Sequence, residues 1–211
     1  MHARESAFLS LQKYENSGVY SNIELSYAIE RGGLEGAEKA LYTALFYGVI
    51  ERKMTLDYYI AELSDREDID LNVRIMLRIG LYQLIYMTKI PESAAVNEAV
   101  VLTKKYNRNP KASSLVNGVL RNAVRTKGQL KEPVSYADKY SHPDDLISLL
   151  KANLPKGTLE PMLIANNAAP QTVVQVNTLR TTASNLLERL EREHVSAKPH
   201  GWMKDCLVLS G

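Results

Sequence analysis

Residues 71–91, LNVRIMLRIGLYQLIYMTKIP, limit what this chain can fold into more than any other stretch. Val73, Met76, Leu77, Leu81, Leu84 and Ile85 recur at helical spacing, and Ile75, Ile79, Tyr82 and Tyr86 fill most of the opposite side. A helix that is apolar nearly all round belongs in the middle of a fold, with other helices packed against it. The segment is too wet at its edges to cross a bilayer, and no run of about 18 or more apolar residues occurs anywhere in the chain. Arg74 and Arg78, four apart, leave one narrow polar stripe, with Asp70 or Glu67 as the expected acidic partners, and Asp70 is also the expected N-cap of this helix. Gly80 sits mid-helix at a cost of about 1 kcal/mol relative to alanine, which close approach of a neighbouring helix would offset.

Two more helices follow. Pro91 ends the central helix, and Ser93 is the expected cap of AAVNEAVVLTKKY. Asn109-Pro110 reads as an N-cap and first-turn proline for KASSLVNGVLRNAVR. Charge changes character here. Residues 99–131 contain no Asp or Glu but eight cations: Lys104, Lys105, Arg108, Lys111, Arg121, Arg125, Lys127 and Lys131. Residues 1–98 carry ten basic and fifteen acidic side chains, so a formal net charge of +2 conceals a strongly polarised chain. Polarity of this kind points to a polyanionic partner. The same block can also serve only as solvated helix faces. Placement favours the first reading: Ser114, Gly118, Arg121 and Arg125 fall on one stripe that can track a run of phosphates, with Lys104, Lys105, Arg108 and Lys111 around the preceding turn.

The rest of residues 1–131 is helical. Residues 3–14 are amphipathic, with Ala7, Phe8, Leu11 and Tyr14 inward. Ser21 and Glu24 have the spacing of a capping box for a helix that stops at Gly32-Gly33. A long pattern over 34–54 turns Ala37, Ala40, Leu41, Ala44, Leu45, Gly48 and Val49 inward, and a shorter one follows with Leu56, Tyr59, Ile60 and Leu63. That gives about seven helices and an all-α bundle. Residues 132–140 read as a linker. Residues 141–211 read as a small α/β extension: a short helix that starts at Ser141-His142-Pro143-Asp144, runs through ISLLKANL and is broken at Pro155, a second over 159–165, a β-branched strand over 172–177, a helix with Leu186, Leu187 and Leu190 inward, and a second strand in CLVLSG. The fold class is therefore mostly α.

One cysteine, Cys206, excludes an internal disulfide and a cysteine-rich zinc site. No signal-like apolar run opens the chain, so the cytoplasm is the expected compartment. His142, His194 and His200 have neither metal spacing nor a nucleophile partner. Tyr106, in the basic turn, is the one tyrosine considered for base stacking. Asn97 and Glu98 are assigned to fixing helix contacts.

The pieces ARESAFLSL, YSNIEL, LFYGVIERKMTLD, LRIGLYQLIYMTKIPESAAVNEAVVLTK and SLVNGVLRN, in this order, resemble the helical NusB-like domain. YSHPDDLISLL and ANNAAPQTVVQVNTLRTTASNLLERLE are similar to the segment that follows this domain in bacterial cytosine-5 methyltransferases of small-subunit ribosomal RNA. The resemblance implies a NusB-like bundle followed by a partial ferredoxin-like extension, which binds and orients ribosomal RNA ahead of a methyltransferase domain that is not in this sequence. It also implies S-adenosylmethionine as cofactor of the full-length enzyme, with none held by this chain. No G-x-G follows a strand here, and Cys206 lacks the preceding proline of the family's nucleophile. Basic residues near the N-terminus bind RNA in the antitermination relatives, and here Arg4 alone matches, with His2 beside it. The competing reading is an antitermination-type protein-interaction module that pairs with a ribosomal protein. A complete enzyme in 211 residues is disfavoured for lack of a cofactor loop.

Overall fold

The computed structural model describes every residue except Met1, Asp65, Glu67 and Gly211. Eleven helices and three strands form among the described residues, in two compact units, 1–164 and 165–211. None of the helices is long and apolar enough to cross a membrane.

The first unit is built on α5 (Leu71–Tyr86), which packs against α1 (Ala3–Ser17), α3 (Gly36–Glu51), α4 (Lys53–Leu63), α6 (Glu92–Tyr106) and α7 (Pro110–Arg125). Ten of its sixteen residues are buried. Asp70 caps it as the sequence implies, accepting from the backbone N–H groups of Asn72 at 3.0 Å and Val73 at 3.3 Å. Gly80 leaves room for α7: a methyl placed there would lie 2.5 Å from Leu120 Cδ1. Gly48 does the same for α3, where the Tyr82 ring occupies the space a side chain would need.

The polar stripe of α5 is resolved differently from expectation. Arg78 is only 4% exposed, and among the described residues its carboxylate partners are Asp57 and Glu15 rather than Asp70; Glu67 lies outside the described residues. Its Nε and Nη2 donate to the two oxygens of Asp57, each at 2.7 Å, and Nη1 donates to Glu15 at 2.9 Å. Lys53 donates to the same Glu15 at 2.8 Å. The guanidinium fork thus joins α1, α4 and α5. Burial raises the Glu15 carboxyl pKa, but Lys53 and Arg78 outweigh it and hold it below the usual range. Paired and hydrogen-bonded in this way, an ion pair tolerates burial.

Other local readings change as well. Helix α2 (Ser21–Gly32) has no side-chain cap. Glu24 turns inward instead, accepting from Ser10 Oγ at 3.0 Å and from Lys13, because a tertiary partner outcompetes the local backbone. Helix α6 starts without a side-chain cap after Pro91, two residues earlier than a Ser93 cap allows. In α3 the core face is Tyr42, Leu45, Phe46 and Val49, while Ala37 and Ala40 are exposed: the larger rings take the interior. Asn97 and Glu98, assigned to helix contacts, are both exposed on α6.

Residues 132–140 contain α8 (Tyr136–Tyr140), capped by Ser135 and packed on α4, where Thr55 Oγ1 donates to Asp138 O. Tyr140 then clusters with Leu159 and Leu163 of α10 (Leu159–Asn166) and with Ile147 and Leu150 of α9 (Asp144–Asn153).

The second unit holds a three-stranded antiparallel sheet rather than two strands. β1 (Thr172–Gln175), β2 (Ser196–Pro199) and β3 (Cys206–Ser210) lie in the order β1-β3-β2, with Gln175 opposite Cys206 and Pro199 opposite Leu207. Helix α11 (Ala183–Arg192), capped by Thr182, packs on β2 with Leu186, Leu187 and Leu190 half-buried.

Candidate nucleic-acid interface

Two helices carry the basic segment. Helix α7 starts where Asn109 accepts from Lys111 N at 3.0 Å, with Pro110 in the first turn. Its buried face, including Ala112, Val116, Val119, Leu120 and Ala123, lies on α5 and α6 and fixes its rotation. Lys111, Ser114, Gly118, Arg121 and Arg125, spaced three and four apart, all therefore point to solvent. This stripe is about 21 Å long at 1.5 Å per residue.

The arginines of the stripe are oriented without being neutralised. Arg121 Nε donates to Asn117 Oδ1 at 2.9 Å, and Arg125 Nη2 donates to Asn122 Oδ1 at 3.0 Å. Arg4, on α1, follows the same pattern: its Nε donates to Gln83 Oε1 at 2.7 Å, and Gln83 is itself held by Ile79 O. An amide oxygen fixes a guanidinium while leaving its unit charge uncompensated, unlike a carboxylate.

The lysines divide. Lys104, Arg108 and Lys111 are exposed and have no carboxylate partner among the described residues. Lys105 is paired with Glu5 across the junction of α1 and α6, and Lys127 with Glu92 at 2.6 Å. Hydrogen bonds from Lys105 and then from the Tyr106 hydroxyl hold the Glu5 carboxyl below its usual range despite partial burial, and the same bond raises Lys105. Tyr106 is not a free platform: its hydroxyl donates to Glu5 at 2.6 Å and its ring lies 4.9 Å from that of Phe8. Burial and the Glu5 bond both raise its pKa. Lys104 and Lys105 also occupy the last turn of α6, where cations offset the helix dipole.

The structure thus ties Lys105 to α1 through Glu5 and holds Arg4 against Gln83 of α5, while Lys104 ends α6, Arg108 follows it, and Lys111, Arg121 and Arg125 lie along α7. Lys127 lies past the end of α7 and is tied to the start of α6. The amide partners Asn117, Asn122 and Gln83 were not among the sequence-predicted site residues. Asn117 and Asn122 were accessible to inference, four residues before Arg121 and three before Arg125. No local signal links Glu5 to Lys105, one hundred residues away.

Among the described residues there is no group of side chains that could hold a metal ion. β1 runs into Val176-Asn177-Thr178 rather than a glycine-rich turn, and Cys206 is half-buried within β3.

Residues 1–125 match the NusB family model, and residues 142–211 match the Methyltr_RsmF/B-like, ferredoxin-like domain. A probable ribosomal RNA small subunit methyltransferase B from Synechocystis is 32% identical over 99% of this chain and 48% of the relative. Its counterpart in Bacillus subtilis is 28% identical over 98% of the chain and 47% of the relative. The chain spans about half the length of the curated relatives it matches. A solved structure of antitermination factors NusB and NusE with double-stranded RNA superposes with a TM-score of 0.53, covering 59% of this chain and 94% of that one at 23% identity. With a helical bundle matched over residues 1–125 and a ferredoxin-like unit after it, this chain belongs to the NusB family, in the arrangement found in ribosomal RNA small subunit methyltransferase B proteins.

Proposed function

We propose that this chain binds single-stranded segments of small-subunit ribosomal RNA and orients them for S-adenosylmethionine-dependent methylation of a cytosine at carbon 5. In this reading the bond-making step belongs to the remaining half of a protein of the relatives' length, and this chain's residues hold phosphates. The observation that carries it is the α7 stripe: solvent-facing Arg121 and Arg125, each braced by an amide, on a helix without an acidic residue. Phosphate contacts of this kind fix register and orientation and leave base identity to other groups.

RNA affinity is expected to fall with salt, with a log–log slope of about −0.7 per neutralised phosphate on single strands. Replacing both Arg121 and Arg125 with Glu is expected to weaken binding and flatten the slope by about 1.4 or more. Unchanged affinity in that double variant, measured by anisotropy of a labelled RNA, refutes the proposed surface. Calorimetry with S-adenosylmethionine is expected to detect no binding to this chain, and measurable binding would overturn the division of labour.

A second reading, docking of a ribosomal protein, has one observation in its favour. Tyr20, Ile23 and Tyr27 lie exposed along α2 and its N-cap. A stoichiometric protein complex that forms without RNA and is lost on Ile23→Asp would support it.

A further inference from the structure

The second unit carries an aromatic and cationic tip that the α7 surface does not use. β1 and β3 are antiparallel with Gln175 opposite Cys206, and β2 meets β3 with Pro199 opposite Leu207. The loop after β1, residues 177–182, and the turn between β2 and β3, residues 200–205, therefore emerge at the same end of the sheet. Val176 N donates to Asp205 O at 2.8 Å and ties the two together. At this end Trp202, the chain's only tryptophan, is 83% exposed, and Leu179 is 96% exposed. Arg180 and Lys204 are exposed beside them in sequence and have no carboxylate partner among the described residues.

The turn is built, not loose. His200 N donates to Cys206 O at 2.9 Å. His200 Nδ1 in turn accepts from the backbone N–H groups of Met203 at 3.1 Å and Trp202 at 3.4 Å. The imidazole meets the indole edge to face, with centroids 5.1 Å apart. An indole held on an ordered turn loses little freedom when a ligand covers it.

We infer that Trp202, flanked by Arg180 and Lys204 at this end of the sheet, is a stacking platform for an unpaired RNA base. Every base presents a π-face to an aromatic ring, and neighbouring cations hold the flanking phosphates. The charge of the two loops selects this occupant over a protein face: Asp205 is the one acid among residues 177–182 and 200–205. The inference rests on the RNA-binding reading and adds base contact to it, through residues independent of α7.

The test uses the whole chain, a short single-stranded oligouridylate and inorganic polyphosphate as a base-free polyanion. Trp202 fluorescence is expected to be quenched by the RNA and left unquenched by polyphosphate at saturation. Trp202→Ala is expected to lower RNA affinity about 5- to 150-fold, the range for one stacked base, without changing the salt slope. Trp202→Phe is expected to keep most of the affinity, which separates stacking from damage to the turn. Replacing Arg180 and Lys204 with Gln is expected to flatten the slope by about 1.4. RNA binding with unquenched Trp202 and unaltered affinity in Trp202→Ala overturns the inference, assigns the tip to a protein partner and leaves the α7 reading standing. Absence of RNA binding by anisotropy removes both.

Discussion

Gly80→Ala tests the packing that sets the α7 surface. On an open helix this change stabilises by about 1 kcal/mol through helix propensity. Here the new methyl would lie 2.5 Å from Leu120 Cδ1, 2.8 Å from Cδ2 and 3.2 Å from Cγ. Leu120 is fully buried and has no solvent to swing into. Overpacking of this severity belongs in the upper part of the usual range of about 1–3 kcal/mol. The two effects leave a net destabilisation of about 1–2 kcal/mol, or a Tm lower by about 2–8 °C for a chain of this size. Urea denaturation followed by far-UV circular dichroism measures it, with equal m-values required before midpoints are compared. Leu120→Ala alone is expected to cost about 2–5 kcal/mol and to cost less in the Gly80→Ala background, because the two side chains compete for one space. A more stable Gly80→Ala, or additive costs in the double variant, would refute the close approach of α5 and α7.

Two further predictions concern charge. Lys104→Gln is expected to flatten the salt dependence of RNA binding by about 0.7, whereas Lys105→Gln changes it little, because Glu5 already compensates Lys105. Equal slope changes in the two variants, by anisotropy titrations at several salt concentrations, would contradict this division. The depressed Glu15 carboxyl predicts a loss of stability in acid. A group whose folded pKa lies below its unfolded value stabilises fully above the unfolded pKa, and that contribution disappears as pH falls through the folded pKa. Denaturation midpoints of the wild type should therefore drop below about pH 4.5 more steeply than those of Glu15→Gln, which starts lower and carries no such dependence at this site.

What was legible in the sequence follows the range of the interaction involved. Asp70 and Asn109 cap their helices because capping depends on the next three residues. The Ser21–Glu24 box has the same local spacing, yet Glu24 finds Ser10 and Lys13 on another helix. The period of α5 and the outward stripe of α7 could both be read, since rotation follows directly from which residues are apolar. Tyr42 and Phe46 displaced Ala37 and Ala40 from the predicted face of α3, a choice that depends on how large a space the neighbours leave. Helix α8 has five residues and only Ala137 and Tyr140 buried, too few for a period to emerge. β2 reads Ser-Ala-Lys-Pro, without a β-branched residue, and is a strand because β3 offers it hydrogen bonds. Within the candidate interface the cations were visible in the sequence and their compensation was not.

Arg78 has a consequence for how the bundle comes apart. A guanidinium has no accessible neutral form, so the joint between α1, α4 and α5 cannot be released by giving up a proton. Opening α4 would remove both Asp57 bonds, and opening α1 the Glu15 bond, from a permanent charge that is only 4% exposed. Their amides should accordingly exchange hydrogen with solvent at one common free energy, while α2, with a single buried residue, exchanges ahead of them.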